Sequence, residues 1–301
     1  MTDFSNYHTI KPKNTKQLYK EILKIVTIIY NEVTPETVKN RKNKEEAKMS
    51  DAQIIAIQLL IETLGKSQNR GYQFLKANFP KLVNYLERSR FNRLVNALMT
   101  VTRAIRKRLN ANNLKEHKIV DSCPLPVIKF GRAFFGKRLR ESSSYGYCAS
   151  KKEVYYGMKI HAIVDIDGNP NDFIITKANL DDREAVHELT DVVKVDILFG
   201  DKGYVGKIEE ELYQEKGIKL YSLQKSNSKN PLPKVFRNIV SKLRRRVETT
   251  FGQLVELFNI QRVRANSILG LQASLEVKFL CFNILSLIGG STQISNVINF
   301  Y

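Results

Sequence analysis

The chain has 301 residues, with 49 Lys and Arg against 30 Asp and Glu, a formal net charge of +19 and three cysteines. Cys123, Cys148 and Cys281 are far apart and lack CxxC spacing, which argues against a disulfide scaffold or a cysteine-built zinc site and points to a reducing compartment. The positive excess calls for an anionic partner, nucleic acid before anionic membrane.

The length suits two domains, each with enough apolar content for a core. The polar N-terminus, MTDFSNYHTIKPKN, lacks the apolar stretch of a signal peptide, so a cytoplasmic protein is expected. From Asn14 to Glu32, Leu18, Ile22, Ile25, Val26 and Ile29 recur at helical spacing, with Asn14 or Thr15 as N-cap. Pro35 and the run ETVKNRKNKEEAK read as a mobile basic connection. Ser50 and Gln53 have capping-box spacing and open a helix, IIAIQLLIETL, that is apolar nearly all round and stops at Gly65. Shorter helices are expected at about 69–77 and 81–87, and a long one at about 90–110 that ends on Arg103, Arg106, Lys107 and Arg108. Basic short helices of this kind can include a helix-turn-helix, although no turn sequence locates a recognition helix; the alternative is a helical domain whose basic residues only solvate it. The boundary is placed near Asn110 to Glu116, giving a helical domain over 1–112, a second domain over 113–290 and a tail over 291–301.

After His117 the period changes. KIVDS is a short strand ending at Asp121, and VYYGMKIHAIVDIDGNPNDFIITKANL is a hairpin turning at DGNP. A helix over about 182–192, the strand ILFG ending at Asp201, a helix over about 206–216, the strand IKLYSL and a long helix complete a mixed sheet with flanking helices, an α/β class. Between Ser122 and Lys152, KFGRAFFGKRLRESSSYGYCASKK interleaves aromatics with bases. It suits contact with distorted or single-stranded DNA, or else is a flap that packs Phe130, Phe134 and Phe135 into the core. The C-terminal run ILGLQASLEVKFLCFNILSLI is interrupted by Gln272, Glu276, Lys278 and Asn283, which favours a buried helix on the sheet over a membrane span.

Charge is unevenly distributed. Residues 1–110 hold 21 basic against 9 acidic side chains, 121–152 hold 7 against 2, 153–224 reverse to 8 against 15, and 225–264 return to 10 against 2. An acidic block enclosed by basic ones suits an enzyme with cations at its centre and a polyanion at its rim, or simply solvated faces. In VDILFGDKGYVG, Asp201 sits at a strand tip between Gly200 and Gly203, where open α/β sheets place ligands. Asp beside Gly is also an ordinary turn. In RNIVSKLRRRVETTFGQLVELFNI, Val240, Leu243, Val247, Phe251, Leu254 and Phe258 form an amphipathic stripe. Glu248 lies one residue off it, where it can also pair with Arg244 or Arg245. Asp165, Asp167, Asp181, Asp182, Asp191 and Asp196 are read as structural.

Taken together, IVDS, YGMKIHAIVDIDGNP, GDKGY and RRRVETTFGQL resemble the catalytic core of DDE transposases from bacterial insertion sequences. Within that class the chain is most similar to the insertion-sequence family numbered nine-eight-two, and MSDAQIIAIQLLIETL resembles its N-terminal segment. The likeness runs from about Ser50 to Leu287. It implies an RNase H-like mixed sheet with flanking helices, preceded by an all-α DNA-binding domain. It implies that Asp121, Asp201 and Glu248 are catalytic and bind two Mg²⁺ ions, which Mn²⁺ can replace, Asp121 bridging both. Three hard oxygen ligands suffice for such ions, without histidine or cysteine. The implied reaction is strand cleavage at transposon ends and transfer into target DNA. The implied partners are double-stranded DNA, as terminal inverted repeats and target, and a second copy of the chain; no membrane is involved. The setting is a bacterial or archaeal cytoplasm, close to the nucleoid. Lys151, Lys152, Lys159, His161, Arg244 and Arg245 are the expected DNA-binding residues. Where related enzymes often have Tyr and Lys seven residues either side of the Glu, this chain has Ser241 and Val255, which also admits a catalytically inactive repressor derived from a transposase, or a nuclease without a joining step.

Overall fold

The computed structural model describes residues 14–43, 45–83, 86–111, 117–149, 151–223 and 233–289. The chain divides into two compact units. One comprises Met1–Asn113, Leu257–Asn259 and Gln272–Tyr301, and the other Leu114–Glu256 and Ile260–Leu271.

In the first unit, α1 (Thr15–Val33) is capped by Asn14, whose side chain accepts the Gln17 N–H, and it buries Leu18, Ile22, Ile25, Val26 and Ile29. The capping box is formed at α3 (Asp51–Thr63), with Ser50 and Gln53 satisfying each other's backbone N–H groups. Nearly every residue of α3 is buried, as expected of a helix apolar on all sides. The segment before it is not the loose connection the composition suggests. It contains the short α2 (Glu36–Lys39), and Arg41 makes a two-pronged pair with Asp51 at 2.7 Å on each oxygen, while Tyr30 donates to the same carboxylate at 2.9 Å. Then follow α4 (Gln68–Asn78) and the single turn α5 (Pro80–Val83). The helix expected over 90–110 is two, α6 (Arg88–Ala97) and α7 (Met99–Ala111), broken at the buried Leu98.

α11 (Ile268–Gly289) is long and apolar enough by length and composition to cross a membrane, but 72% of its most apolar window is buried inside the protein. From Gln272 onward it belongs with the helical unit, which corrects the expectation that it packs on the sheet. Its charged side chains explain the partnership. Glu276 accepts from Arg103 Nε and Arg106 Nε, each at 2.7 Å, and Lys278 donates to Glu62 Oε2 at 2.5 Å. These ionic groups have partners on helices, not on strands. The basic end of α7 is therefore partly internal, with Arg106 fully buried.

In the second unit, β1 (His117–Ile128) is central. It runs antiparallel to β3 (Glu153–Asp165) and parallel to β5 (Ile197–Gly200), which is itself parallel to β6 (Lys219–Ser222). On the far side of β3, β2 (Ser144–Cys148) pairs with its first half and β4 (Pro170–Lys177) with its second. β2 lies within the aromatic and basic stretch between Ser122 and Lys152. The DGNP hairpin forms as expected: Asp165 closes it by accepting the N–H groups of Asp167 and Asn169 at 2.9 Å each.

Alternation along the strands sorts side chains to two faces. Val120, Ile163, Leu198 and Leu220 cluster with Val186 and Leu189 of α8 (Asp182–Val192) and with Ile208 and Leu212 of α9 (Ile208–Lys216). On the other face Phe199 stacks on Tyr221, and Tyr221 meets Phe236 of α10 (Lys234–Glu256), a helix that buries Val240, Val247, Phe251 and Leu254. The sheet thus lies between an α8/α9 layer and α10, and what decides a strand residue's surroundings is its parity.

Candidate active site

Asp121 alternates with Val120 and Ser122, so it projects to the α10 face. The parallel register pairs His117 with Ile197, Lys118 with Leu198 and Ile119 with Phe199. Continued by two residues, it brings Asp121 level with Asp201, just past the end of β5. Asp201 is held by its own turn: its Oδ1 accepts the Gly203 N–H at 2.6 Å. Gly203 carries no Cβ because one would stand 3.0 Å from that same oxygen. Gly200 serves packing, since a Cβ there would meet Cδ2 of Tyr204 at 2.8 Å. The Tyr204 ring is in the core between β5, α8 and α9.

The electrostatics single out Asp121. Burial, moderated by the hydrogen bond from the Ser122 N–H at 2.8 Å, pushes its carboxyl up to about 7, and the negative charges of Asp201 and Asp182 push in the same direction. Arg244 on α10 is the cation that opposes the rise. The Tyr204 hydroxyl has no hydrogen-bond partner among the described residues and is raised well above the usual tyrosine value, chiefly by burial and further by the negative charges of Asp182, Asp121, Asp201 and Asp181.

Glu248 is on the same helix as Arg244, one turn later. Its carboxylate accepts from Arg244 at 2.9 Å and is 53% exposed. The alternative pairing considered for it is thus formed, and the same Arg244 acts electrostatically on Asp121. Among the described residues, no three His, Cys, Asp or Glu side chains converge closely enough to hold a metal ion. What the fold does bring together is Asp121 and Asp201, with Arg244–Glu248 on the facing helix. Two hard carboxylates on adjoining strands, Asp121 within β1 and Asp201 just past β5, one of them disfavoured as a bare anion, suit a divalent cation such as Mg²⁺.

The other expected DNA-binding residues separate into two groups. Lys151, Lys152 and Arg245 are exposed. Lys159 and His161 are not: the Lys159 ammonium is 16% exposed and is held by the Leu180 carbonyl at 3.0 Å and Asp182 Oδ1 at 2.7 Å. His161 is fully buried, shares a hydrogen bond with Thr176 Oγ1 at 2.9 Å, and is lowered to about 4 by burial, so it is neutral.

Sequence reasoning passed over Ser122 and Asp182. Asp182 was read as a helix-end acid, yet Asp181 performs the capping, accepting the Arg183 N–H at 2.9 Å. Two acids in tandem where one cap is needed was the available signal. Asp165, as expected, forms a turn, and Asp191 pairs with Lys216. In the aromatic stretch, Phe130, Phe134 and Phe135 are exposed, the last by 82%, so it is not a flap folded into the core.

The family model described as "Transposase DDE domain" matches residues 84–268, more than half of the chain. No curated protein and no solved structure matches. The mixed sheet with flanking helices fits the fold of that family.

Proposed function

The chain belongs to the transposase DDE domain family, and on that premise we propose that it cleaves DNA at transposon ends and joins them to a target, with Asp121, Asp201 and Glu248 as its acidic triad. The observation that carries this reading is the pairing of Asp121, within β1, with Asp201, just past the end of the adjoining β5, on the face that α10 covers, with Asp121 raised toward 7. Asp121 and Asp201 would hold divalent metal ions, with Mg²⁺ the expected species and Mn²⁺ a substitute, and Glu248 would join them when a DNA phosphate draws Arg244 away. Bound there, two such ions supply activation of the attacking oxygen and stabilisation of the leaving one. Arg244 is suited to a phosphate, because a guanidinium recognises it through two parallel hydrogen bonds. The RNase H-like description and the affinity with the family numbered nine-eight-two belong to the same reading.

DNA would be gripped on basic surfaces. In the helical unit α6 presents Arg88, Arg90 and Arg93 to solvent, two of them lining an open depression with Leu94 and Ala97. In the sheet unit, Lys151, Lys152, Arg245 and the exposed aromatics of residues 130–147 serve the same end, the rings stacking on unpaired bases at a distorted transposon end. Two ends must be held together, so a homodimer on the terminal inverted repeats completes the proposal.

The test is nicking of a labelled transposon-end duplex in Mg²⁺. Wild type should cut and join, and Asp201→Ala should do neither. Undiminished cleavage by Asp201→Ala removes it from the mechanism. The Arg244–Glu248 pair favours a second reading, a non-catalytic DNA-binding repressor, which predicts salt-sensitive DNA binding without Mn²⁺ binding that depends on Asp121.

A further inference from the structure

α8 opens on two acids, and because Asp181 caps the helix, the Asp182 carboxylate is left to face the sheet. Its Oδ1 takes the Lys159 ammonium at 2.7 Å, its Oδ2 takes the Ser122 hydroxyl at 3.1 Å, and His161 Nδ1, which has no hydrogen-bond partner among the described residues, stands 3.7 Å away. Register explains the convergence. Ser122 and His161 are directly opposite on β1 and β3, and Pro124 and Lys159 are the next pair on the same face. The ammonium is anchored a second time on the Leu180 carbonyl, just before α8. Ser122 closes the chain of contacts: its own N–H donates to Asp121 Oδ1 at 2.8 Å. Residue 122 is therefore gripped through its side chain from the α8 face, while its peptide nitrogen holds Asp121 on the α10 face. Asp182 also adjoins the second aspartate, since a Cβ on Gly203 would lie 3.0 Å from Asp201 Oδ1 and 3.8 Å from Asp182 Oδ2.

We propose that Asp182 is a positioning residue that fixes the Asp121 carboxylate from the opposite face of the sheet, acting through Ser122 and held in place by Lys159. The proposal rests on the reading of Asp121 as a metal-binding catalytic carboxylate. Its physical basis is that a carboxylate ligand aimed by hydrogen bonds binds its ion better than one free to rotate. Loss of such an outer partner commonly weakens metal binding or activity by about 10- to 100-fold.

The experiment uses the full chain, Mn²⁺ as the probe in calorimetric titration without DNA, and a transposon-end duplex for cleavage. Ser122→Ala and Asp182→Asn should each weaken Mn²⁺ binding by about 10- to 100-fold. Each should slow cleavage at saturating DNA by a similar factor, with the DNA dissociation constant unchanged. Ser122→Thr, which keeps the hydroxyl, should restore both, and the thermal midpoint of Ser122→Ala should match wild type. If Asp182→Asn does not fold, the Ser122 pair decides alone. Mn²⁺ binding by Ser122→Ala equal to wild type, or no rescue by Ser122→Thr, overturns the proposal. So does a Lys159→Met variant that loses DNA affinity while binding Mn²⁺ normally, because Lys159 would then be a DNA contact. Wild-type protein with no Asp121-dependent Mn²⁺ binding would overturn the underlying reading instead.

Discussion

The two units handle buried charge in opposite ways. In the helical unit each buried ion faces a counterion: Glu276 receives Arg103 and Arg106, Lys278 is paired with Glu62, and Asp51 is held by Arg41 and Tyr30. In the sheet unit, Asp121 receives one backbone N–H, with Asp201 and Asp182 near enough to repel it and the opposing cation, Arg244, already bonded to Glu248. Pairing removes most of the cost of burial, so the first arrangement maintains a fold. Withholding the partner keeps a carboxylate raised and ready for an incoming cation, so the second creates a site.

The strongest way to break this contrast is Glu276→Ala. It would leave two guanidiniums, one wholly buried, without their shared counterion. A loss of about 3–5 kcal/mol is expected, read as a large fall in the urea midpoint. An unchanged midpoint would show that the ionic cluster contributes little. Next is the acid limb of stability. His161 is lowered to about 4 from an ordinary 6.5, so the unfolded chain binds its proton first and stability falls as pH drops from 6.5 toward 4. The contribution approaches about 3 kcal/mol, and His161→Gln should flatten it in melts between pH 7 and 4.

Asp121→Asn should act with the opposite sign to Glu276→Ala. Asp121 rises from 3.8 to about 7, so the metal-free protein loses stability as pH increases through that window. Asn does not ionise, and a gain on the order of 1–2 kcal/mol at pH 8 is expected, discounted for the partial exposure of the side chain. A lower thermal midpoint for Asp121→Asn in chelator at pH 8 would contradict the unpaired state of this carboxylate. The smallest effect belongs to Arg244→Ala, whose pair with Glu248 is exposed and should stabilise by only about 0.3–0.5 kcal/mol. Carbon-detected titration should nevertheless show Asp121 higher still, because the opposing cation is gone.

Much of this was legible in the residues because it depended on local rules. The Ser50–Gln53 capping box, the DGNP hairpin and the amphipathic stripe of α10 are set within a few residues, by hydrogen-bond reach and by the periods of helix and strand. Asp201 could be placed at a strand tip for the same reason, whereas Asp121, expected to end its strand, lies inside β1, because pairing with β3 carries that strand on to Ile128. The break at Leu98 carries no Gly or Pro to mark it, and the strand Ser144–Cys148 is only five residues long and has Gly146 at its centre, which reads as a breaker; both were missed. Lys159 and His161 were expected beside DNA because the sequence shows their charge and not their partners. Burial against Asp182, which is 23 residues from Lys159 and 21 from His161 in the chain, decides that they are internal.

The sequence by itself determined the kinds of element, the order in which they come and the acids available for chemistry, because periodicity, caps and turns act over a few residues. Only the tertiary structure decided which of those acids meet. Strand parity sends Asp121 toward α10 and Ser122 toward α8, register sets Asp201 beside Asp121, and helix packing gives Glu276 its arginines while tying Glu248 to Arg244. Each of these joins residues distant in the chain, and whether a charge is paired or withheld depends on such long-range neighbours.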